Sequence, residues 1–221
     1  MLDILMSFIA PHYCSGCGLV GSSLCDNCKY DIIDELKSTC LLCKRPCGSA
    51  GVCKQCSGVF ERAWCVGNRD GVLQRLVGLY KFERMRSAYR VLGDLILDRL
   101  PDLPFNTVLV PVPTVSGHIR ERGYDHMRLI ARYIARRRKL SVSYALYRKT
   151  QTKQRQASAK QREAQARRAF GVNGSLDSKQ TYLLLDDVVT TGATIKYAAR
   201  ALRAAGAKHI WVAVIARQTL D

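Results

Sequence analysis

The sequence predicts an α/β fold with a doubly wound parallel sheet, preceded by a small cysteine-rich zinc module. From about residue 107 to the end, apolar runs typical of buried strands alternate with helical patterns, as in βαβ units. One of those runs ends directly in two aspartates, Asp186 and Asp187. Nine of the ten cysteines lie between Cys14 and Cys56. We therefore predict two domains, a zinc-binding module at 1–60 and an α/β domain at 61–221.

Hydrophobic periodicity predicts the elements of the larger domain in order. Leu73, Leu76, Val77 and Tyr80 are spaced as one face of a short helix. The run from Thr107 to Val112 is continuously apolar, which is typical of a strand buried on both faces. The remaining predictions are helices over 84–100, 124–139, 158–168 and 193–205, strands over 142–147, 181–185 and 209–216, and a polar loop over 149–156.

Composition and hydropathy indicate a globular protein without membrane insertion. The chain is 48% hydrophobic and 24% charged, which excludes a disordered polypeptide. The segment from Leu2 to Pro11 is short, contains Asp3 and lacks a basic start, so it fits neither a signal peptide nor a membrane span. We predict a cytoplasmic protein.

The positive charge is concentrated in one part of the chain. Residues 118–170 contain sixteen lysines and arginines against three acidic residues, whereas residues 1–66 contain six of each sign. A local excess of this size favours a polyanionic partner or anionic ligand groups facing that segment. A solvated surface face remains the alternative.

The cysteines form two sets of Cys-x-x-Cys pairs, a spacing that brings two sulfurs to one side of a tight turn. Without an export signal, metal binding is favoured over disulfides or free thiols. We predict one or two structural zinc ions, because four thiolates leave no open position for catalysis. Four of the five cysteines from Cys40 to Cys56 can close the second site, and the pairwise spacing favours the choice that leaves Cys47 spare. Cys65 lies in an apolar context typical of a core residue. The predicted ligands are Cys14, Cys17, Cys25 and Cys28 in the first set, and Cys40, Cys43, Cys53 and Cys56 in the second.

The segment around the paired aspartates is the most informative in the chain. Asp186 and Asp187 follow an apolar strand and precede a small, hydroxyl-rich turn that opens a helix. Carboxylates at the carboxyl end of a strand can accept hydrogen bonds from vicinal hydroxyls, as on a ribose. The turn offers backbone N–H groups and a helix N-terminus to a phosphate, and Gly192 permits close approach. The predicted phosphate-binding residues are Thr190, Thr191, Gly192, Ala193 and Thr194.

This segment resembles the signature of type I phosphoribosyltransferases, in which four apolar residues precede two acids and a Thr/Gly turn. The flanking sequence is similar to the ComF family (the ComFC and GntX-like proteins). The resemblance rests on the leading cysteine module, Leu109–Pro113, Arg120–Asp125, Gln154, Arg162, Gln165, Ala169 and Phe170. The chain departs from the family pattern where Phe-Asn-Gln reads Tyr124-Asp125-His126, where Leu reads Ala157 and where Asn reads Gln165.

The resemblance implies a sheet of the type I phosphoribosyltransferase kind and a ligand, phosphoribosyl pyrophosphate. Asp186 and Asp187 would form the catalytic centre and hold the ribose hydroxyls, with the turn on the 5-phosphate. Mg²⁺ would bridge ligand oxygens. Arg120 and Arg122 would neutralise the pyrophosphate, with a solvated surface charge as the alternative for each.

Three functions follow from these patterns. The resemblance favours a ComF protein that acts in DNA uptake, contacting single-stranded DNA beside a helicase-like ATPase. The aromatic residues that would stack bases, or else pack in the core, are Tyr124, Tyr133, Tyr144 and Tyr147. The second function is an active phosphoribosyltransferase of nucleotide metabolism with an unknown acceptor. The third is a zinc-dependent protein adaptor.

Overall fold

The computed structural model describes residues 13–34, 39–83, 85–149 and 169–218. Its strands are β1 (Arg62–Asn68), β2 (Thr107–Pro111), β3 (Ser141–Val142), β4 (Leu146–Arg148), β5 (Phe170–Val172), β6 (Thr181–Val189) and β7 (His209–Arg217). Five of them form one sheet in the order β1-β7-β6-β2-β3, and every neighbouring pair is parallel. Strands β4 and β5 pair with each other as a separate antiparallel ribbon. The predicted parallel α/β sheet is confirmed.

Helices cover both faces of this sheet. They are α1 (Asp26–Asp34), α2 (Gly71–Phe82), α3 (Ala88–Arg99), α4 (Ser116–Arg122), α5 (His126–Arg138) and α6 (Ala193–Ala204). One core packs α2, α3 and α5 against Leu109 and Leu183. The other packs α6 against Val110 and Leu184, their neighbours in sequence. Successive side chains of a strand point to opposite faces, so this division shows a doubly wound sheet.

The parallel arrangement gathers the carboxyl ends of β2 and β6 at one edge. Pro111, the last residue of β2, pairs with Leu185, and β6 then continues alone on that side through Asp186 and Asp187. Ligands of open parallel sheets bind at this edge. The fold therefore presents the paired aspartates and the chain that follows them, as far as Thr194, at its ligand-binding edge.

Two predicted strands differ from the structure. The strand predicted over 142–147 is wrong, because the chain leaves the sheet after Val142 and turns before β4 pairs with β5. The Ala145 N–H donates to the Ser143 hydroxyl (3.2 Å) in that turn. The strand predicted over 181–185 is too short, because β7 continues the pairing of β6 as far as Val189.

The edge strand β1 is covered by the second cysteine set. The Ala63 N–H donates to the Ala50 carbonyl (2.8 Å), which continues the hydrogen bonding of the sheet edge. Gly51 has a φ of +65°, and a Cβ atom there would lie 1.9 Å from the Ala63 carbonyl oxygen. The cysteine-rich segment therefore protects an edge that would otherwise offer unpaired backbone groups.

Some predictions fall outside the described residues. They are the helix over 158–168, nearly all of the loop over 149–156, and the family positions Gln154, Ala157, Arg162 and Gln165. Within the described ranges, each helix is too short or too polar to cross a lipid bilayer. The division at residue 60 stays a prediction.

Candidate functional site

Each predicted cysteine set comes together in space. Within each set of four, the sulfur atoms all lie within 4.8 Å of one another. Cys14 and Cys25 are 3.6 Å apart, and Cys43 and Cys53 are 3.5 Å apart, measured between sulfurs. Four sulfurs at about 2.3 Å from a tetrahedral zinc ion are separated by roughly 3.8 Å. Both clusters can therefore hold a structural zinc ion.

The same turn builds both clusters. The residue after the second cysteine donates its N–H to the carbonyl of the first, from Gly18 to Cys14 (2.9 Å) and from Lys44 to Cys40 (3.0 Å). Gly18 and Lys44 both have a positive φ, 78° and 61°. The first turn places a glycine where this conformation costs little, whereas the second accepts the strain of a lysine.

The two remaining cysteines lie outside both clusters. Burial raises the pKa of Cys47. Burial likewise raises the pKa of Cys65 to about 11, so its thiol stays protonated at neutral pH, and it donates to the Gly67 carbonyl (3.2 Å). Cys65 packs with the core on the α6 face of the sheet.

Asp187 is the centre of a polar network at the sheet edge. Its Oδ2 atom lies 2.5 Å from Lys81 Nζ, at the end of α2, and 2.5 Å from His126 Nε2, at the start of α5. The Nδ1 atom of His126 lies 3.1 Å from Arg122 Nη1. Because a guanidinium group can only donate, Nδ1 accepts, and Nε2 donates its proton to Asp187.

Asp125 explains one departure from the family pattern. It precedes α5 as the N-cap residue, and its Oδ1 atom accepts from the Arg128 N–H (3.2 Å). The Thr114 hydroxyl donates to the same oxygen (3.2 Å). A carboxylate caps a helix N-terminus at least as well as an amide does, so the charge at this position supports α5.

The two aspartates have opposite electrostatic environments. Burial and the neighbouring charge of Asp187 raise the pKa of Asp186 to about 8. Burial also acts to raise the pKa of Asp187, but the hydrogen bond from His126 and the charge of Lys81 outweigh it, and the pKa of Asp187 is lowered. At neutral pH the pair therefore shares one negative charge, on Asp187, while Asp186 keeps a proton.

These groups open into a cavity of about 330 Å³. Arg148 of β4 reaches it from the ribbon, stacking over Phe170 with 4.8 Å from Cζ to the ring centre, and burial lowers its pKa. Phe82 is exposed at the cavity wall. The charged and polar side chains of the lining are Lys81, Thr114, His118, Arg122, His126, Arg148, Asp186, Asp187 and Thr194.

The structure places only one of the two predicted arginines in the cavity lining. Arg122 lines the cavity, whereas Arg120 is exposed and is not part of its lining. Both lie on α4, where residues two apart point to different sides. The role predicted for Arg120 on pyrophosphate stays a prediction.

The threonine–glycine turn forms a smaller hollow of about 30 Å³ beside the first. All five predicted residues, from Thr190 to Thr194, line it together with Asp186. Gly192 precedes α6 with a φ of +74°. The first N–H groups of an α-helix have no partner within the helix, so this N-terminus offers donors to a phosphate. The structure brings the aspartates and the turn together at one edge.

The outer side of this turn rests on the second cysteine set. A Cβ atom at Gly192 would lie 2.3 Å from Leu42 Cδ2. Leu42 stands between Cys40 and Cys43, and its partly buried side chain packs with the core that contains Val189. Glycine at 192 is therefore required twice, by the positive φ and by the leucine against it.

Sequence reasoning missed Lys81, Arg148 and Leu42. Lys81 and Asp187 are far apart in sequence and belong to separate elements, so no local pattern connects them. Arg148 lies between the strand predicted over 142–147 and the loop predicted over 149–156, and no prediction covered it. His126 was considered as a general base and given a structural role, and its hydrogen bond to Asp187 was not predicted.

Comparison of the sequence and of the structure with known proteins found three similarities. A family model described as a phosphoribosyl transferase domain matches residues 122–219. Competence protein ComFC of Bacillus subtilis (strain 168) is 27% identical over 197 residues, which cover 81% of this chain and 77% of that protein. A solved structure of the allosteric regulatory enzyme of purine biosynthesis aligns with 20% identity and a TM-score of 0.43, over 58% of this chain and 25% of that chain.

These findings identify the class of protein. The chain contains a phosphoribosyltransferase-type domain, preceded by two four-cysteine clusters that fit a zinc module. The predicted resemblance to the ComF family is confirmed by the similarity to ComFC along most of both chains.

Asp186→Asn is expected to raise the free energy of unfolding, by an amount that grows from about pH 4 to about pH 8. The folded-state pKa of Asp186, about 8, lies above its ordinary value of 3.8. Across this window the folded protein keeps a proton that the unfolded chain releases, so the parent loses stability as pH rises. Asparagine has no such proton.

Urea unfolding of parent and variant at several pH values measures this difference, which we expect to reach several kcal/mol at high pH. The exposed Asp102, changed to Asn, is the control and should show little difference at any pH. A constant difference between parent and Asp186→Asn would contradict the raised pKa.

Leu42→Ala is expected to loosen the turn from Thr190 to Thr194. Losing the partly buried methyl groups removes about 1–1.5 kcal/mol of packing, which corresponds to roughly tenfold faster opening. Hydrogen–deuterium exchange of the peptide that contains the turn measures the opening rate. Removal of zinc by a chelator should also make this exchange faster. Leu19→Ala, at a 65% exposed position of the first set, is the matched control. Unchanged exchange in Leu42→Ala would contradict the support role.

Proposed function

We propose that this protein binds phosphoribosyl pyrophosphate with Mg²⁺ and acts on incoming single-stranded DNA in natural transformation. One observation carries the ligand: a carboxylate pair and a helix N-terminal turn open side by side at the ligand-binding edge of a parallel sheet. The phosphoribosyl transferase domain match and the competence role in the name of its relative support the two parts of the proposal.

Each group of the site suits one part of this ligand. The turn would hold the 5-phosphate through backbone N–H groups, and Asp186 and Asp187 would accept the ribose hydroxyls. Lys81, Arg122 and Arg148 supply positive charge to the cavity for a pyrophosphate. Carboxylate and ligand oxygens suit Mg²⁺, which would supply further charge neutralisation.

Turnover is the second candidate function, and Phe82 favours it. This side chain is 69% exposed at the cavity wall, with Arg122 at 5.8 Å from its ring centre. An exposed aromatic ring beside the ribose site offers a stacking surface to a planar acceptor base. Release of pyrophosphate on addition of candidate bases would support a transferase, whose acceleration would come from positioning and charge compensation.

The DNA contact rests on the outer face of α5. Arg128 and Arg132 are exposed and both stack on Tyr144, at 4.6 and 5.8 Å from its ring centre. The hydroxyls of Tyr124 and Tyr133 instead donate hydrogen bonds within the fold, to the Tyr80 carbonyl (2.5 Å) and to Asp94 (2.7 Å). Cationic side chains around a partly exposed aromatic ring suit the phosphates and bases of a single strand.

Calorimetric titration with phosphoribosyl pyrophosphate tests the ligand. The parent should show saturable binding that requires Mg²⁺. Changing Asp186 and Asp187 together to Asn should weaken it more than about 100-fold, because the negative charge of the pair is lost and each amide has one acceptor oxygen where a carboxylate has two. Asp102 precedes β2, at the amino end of that strand, whereas the aspartate pair lies at the carboxyl ends. Asp102→Asn should therefore bind as the parent does. Binding that survives in the double variant would overturn the assignment.

Titration with a labelled single strand at several salt concentrations tests the DNA contact. Arg128→Gln with Arg132→Gln should weaken binding about tenfold or more and reduce the salt slope by about 1.4, as expected for two lost phosphate contacts. Arg62→Gln with Arg200→Gln is the matched control, since both arginines stack on aromatic rings elsewhere. Arg138 is left intact, because it donates to the Leu97 and Leu100 carbonyls. Equal losses in the two pairs would contradict a specific DNA face.

A further inference from the structure

A second cavity, of about 180 Å³, lies between the second cysteine set and the edge of the sheet. Its walls include Thr39 and Ser49 from the cysteine-rich segment, Trp64 and Cys65 of β1, Arg99 at the end of α3, and Arg217 at the end of β7. It shares no lining residue with the cavity of the two aspartates or with the hollow of the turn.

Two arginines line this cavity, and both have unused hydrogen-bond donors. Arg99 Nε, Arg99 Nη2 and Arg217 Nε are buried and have no hydrogen-bond partner among the described residues. The other nitrogens of Arg217 are held in place: Nη1 donates to the Thr39 hydroxyl (2.9 Å), and Nη2 lies 3.5 Å from Asn68 Oδ1. The guanidinium of Arg217 is therefore held in place, and its Nε donor is left over.

No counter-charge for these arginines lies in the described wall. Aspartate and glutamate are absent from the described residues that line the cavity. Cys65 is close to both guanidinium groups, but burial raises the pKa of its thiol to about 11, so it supplies no negative charge at neutral pH. Burial also lowers the pKa of Arg99, which marks the cost of keeping that group charged.

A partly buried guanidinium group that has unpaired N–H groups and no counter-charge destabilises the fold. Water in the cavity would leave the positive charges of the two arginines without a counter-charge in the described wall. A tetrahedral oxyanion satisfies both requirements, because its oxygens accept from two arginine forks at once. We propose that this cavity is a second anion site, which binds a phosphate or a terminal phosphate group between Arg99 and Arg217.

The position of this site gives it a structural consequence. Arg217 also lies 3.5 Å from the Cys40 carbonyl, and the next residue, Gln218, donates its N–H to the Val189 carbonyl (2.8 Å) just before the turn. An anion on Arg217 therefore binds where the second cysteine set meets the sheet, and it holds α3, β7 and that set together.

Thermal unfolding of the zinc-loaded full chain in inorganic phosphate and in sulfate tests the proposal. Saturating phosphate should raise the Tm of the parent by about 2–4 °C more than that of Arg99→Met. Phosphate binding at the threonine–glycine turn is common to both proteins and cancels in this comparison. In buffer without oxyanions, Arg99→Met should unfold at a higher Tm than the parent, because an unpaired buried charge has been removed.

Tryptophan emission gives a local readout, since Trp64 lines the cavity. It should change with phosphate in the parent and in the control Arg200→Met, an exposed arginine of α6, but not in Arg99→Met. Binding of phosphoribosyl pyrophosphate should be retained in Arg99→Met, so failure of the ribose site and failure of this site are distinguishable. Equal phosphate shifts in parent and variant, or a lower Tm of Arg99→Met without oxyanions, would overturn the proposal.

Discussion

The candidate site depends on the ionic hydrogen bonds that Asp187 makes with Lys81 and His126. Two adjacent carboxyl groups at the end of a buried strand repel each other, and neither is well solvated. The contacts from α2 and α5 fix the charge on Asp187, and Asp186 then keeps its proton. The charge state of the pair is thus set by how two helices pack on one face of the sheet.

The packing of α2 against α5 is stabilised by hydrogen bonds that lie next to the site and involve none of its charged groups. The Tyr80 hydroxyl donates to the His126 carbonyl (2.7 Å), and the Tyr124 hydroxyl donates to the Tyr80 carbonyl (2.5 Å). These buried bonds join the end of α2 to the start of α5, which are the two points that deliver Lys81 and His126. Lys81 and His126 lie more than sixty residues from Asp187 in sequence. These two tyrosine hydrogen bonds, which are structural, keep both side chains within hydrogen-bonding distance of it.

Sequence predicted the parts of the site that are continuous in the chain. Strand β6, its two acids and the turn before α6 form one local pattern, and that pattern alone located the ligand edge. Lys81 and Arg148 were not predictable in the same way, because their place depends on which elements become neighbours. Arg120 and Arg122 show the limit most closely: without periodicity to predict α4, nothing distinguished the residue that faces the cavity from the one that faces solvent. The two cysteine clusters were predicted from spacing, but their packing on the domain was not, since it depends on Gly51 and Gly192 leaving room for other chain segments.

The two cysteine sets differ in the exposure of their apolar side chains. This difference restricts the adaptor hypothesis to the first set. The second set covers the β1 edge and supports the turn through Leu42, so its removal would disturb the domain itself. The first set keeps Tyr13, Leu19 and Val20 more than half exposed. Among the described residues of the two sets, a partner protein that docks through zinc would find large exposed apolar side chains only on the first set. Loss of that contact could then be separated from loss of the ribose site, because the cluster that touches the turn is the other one.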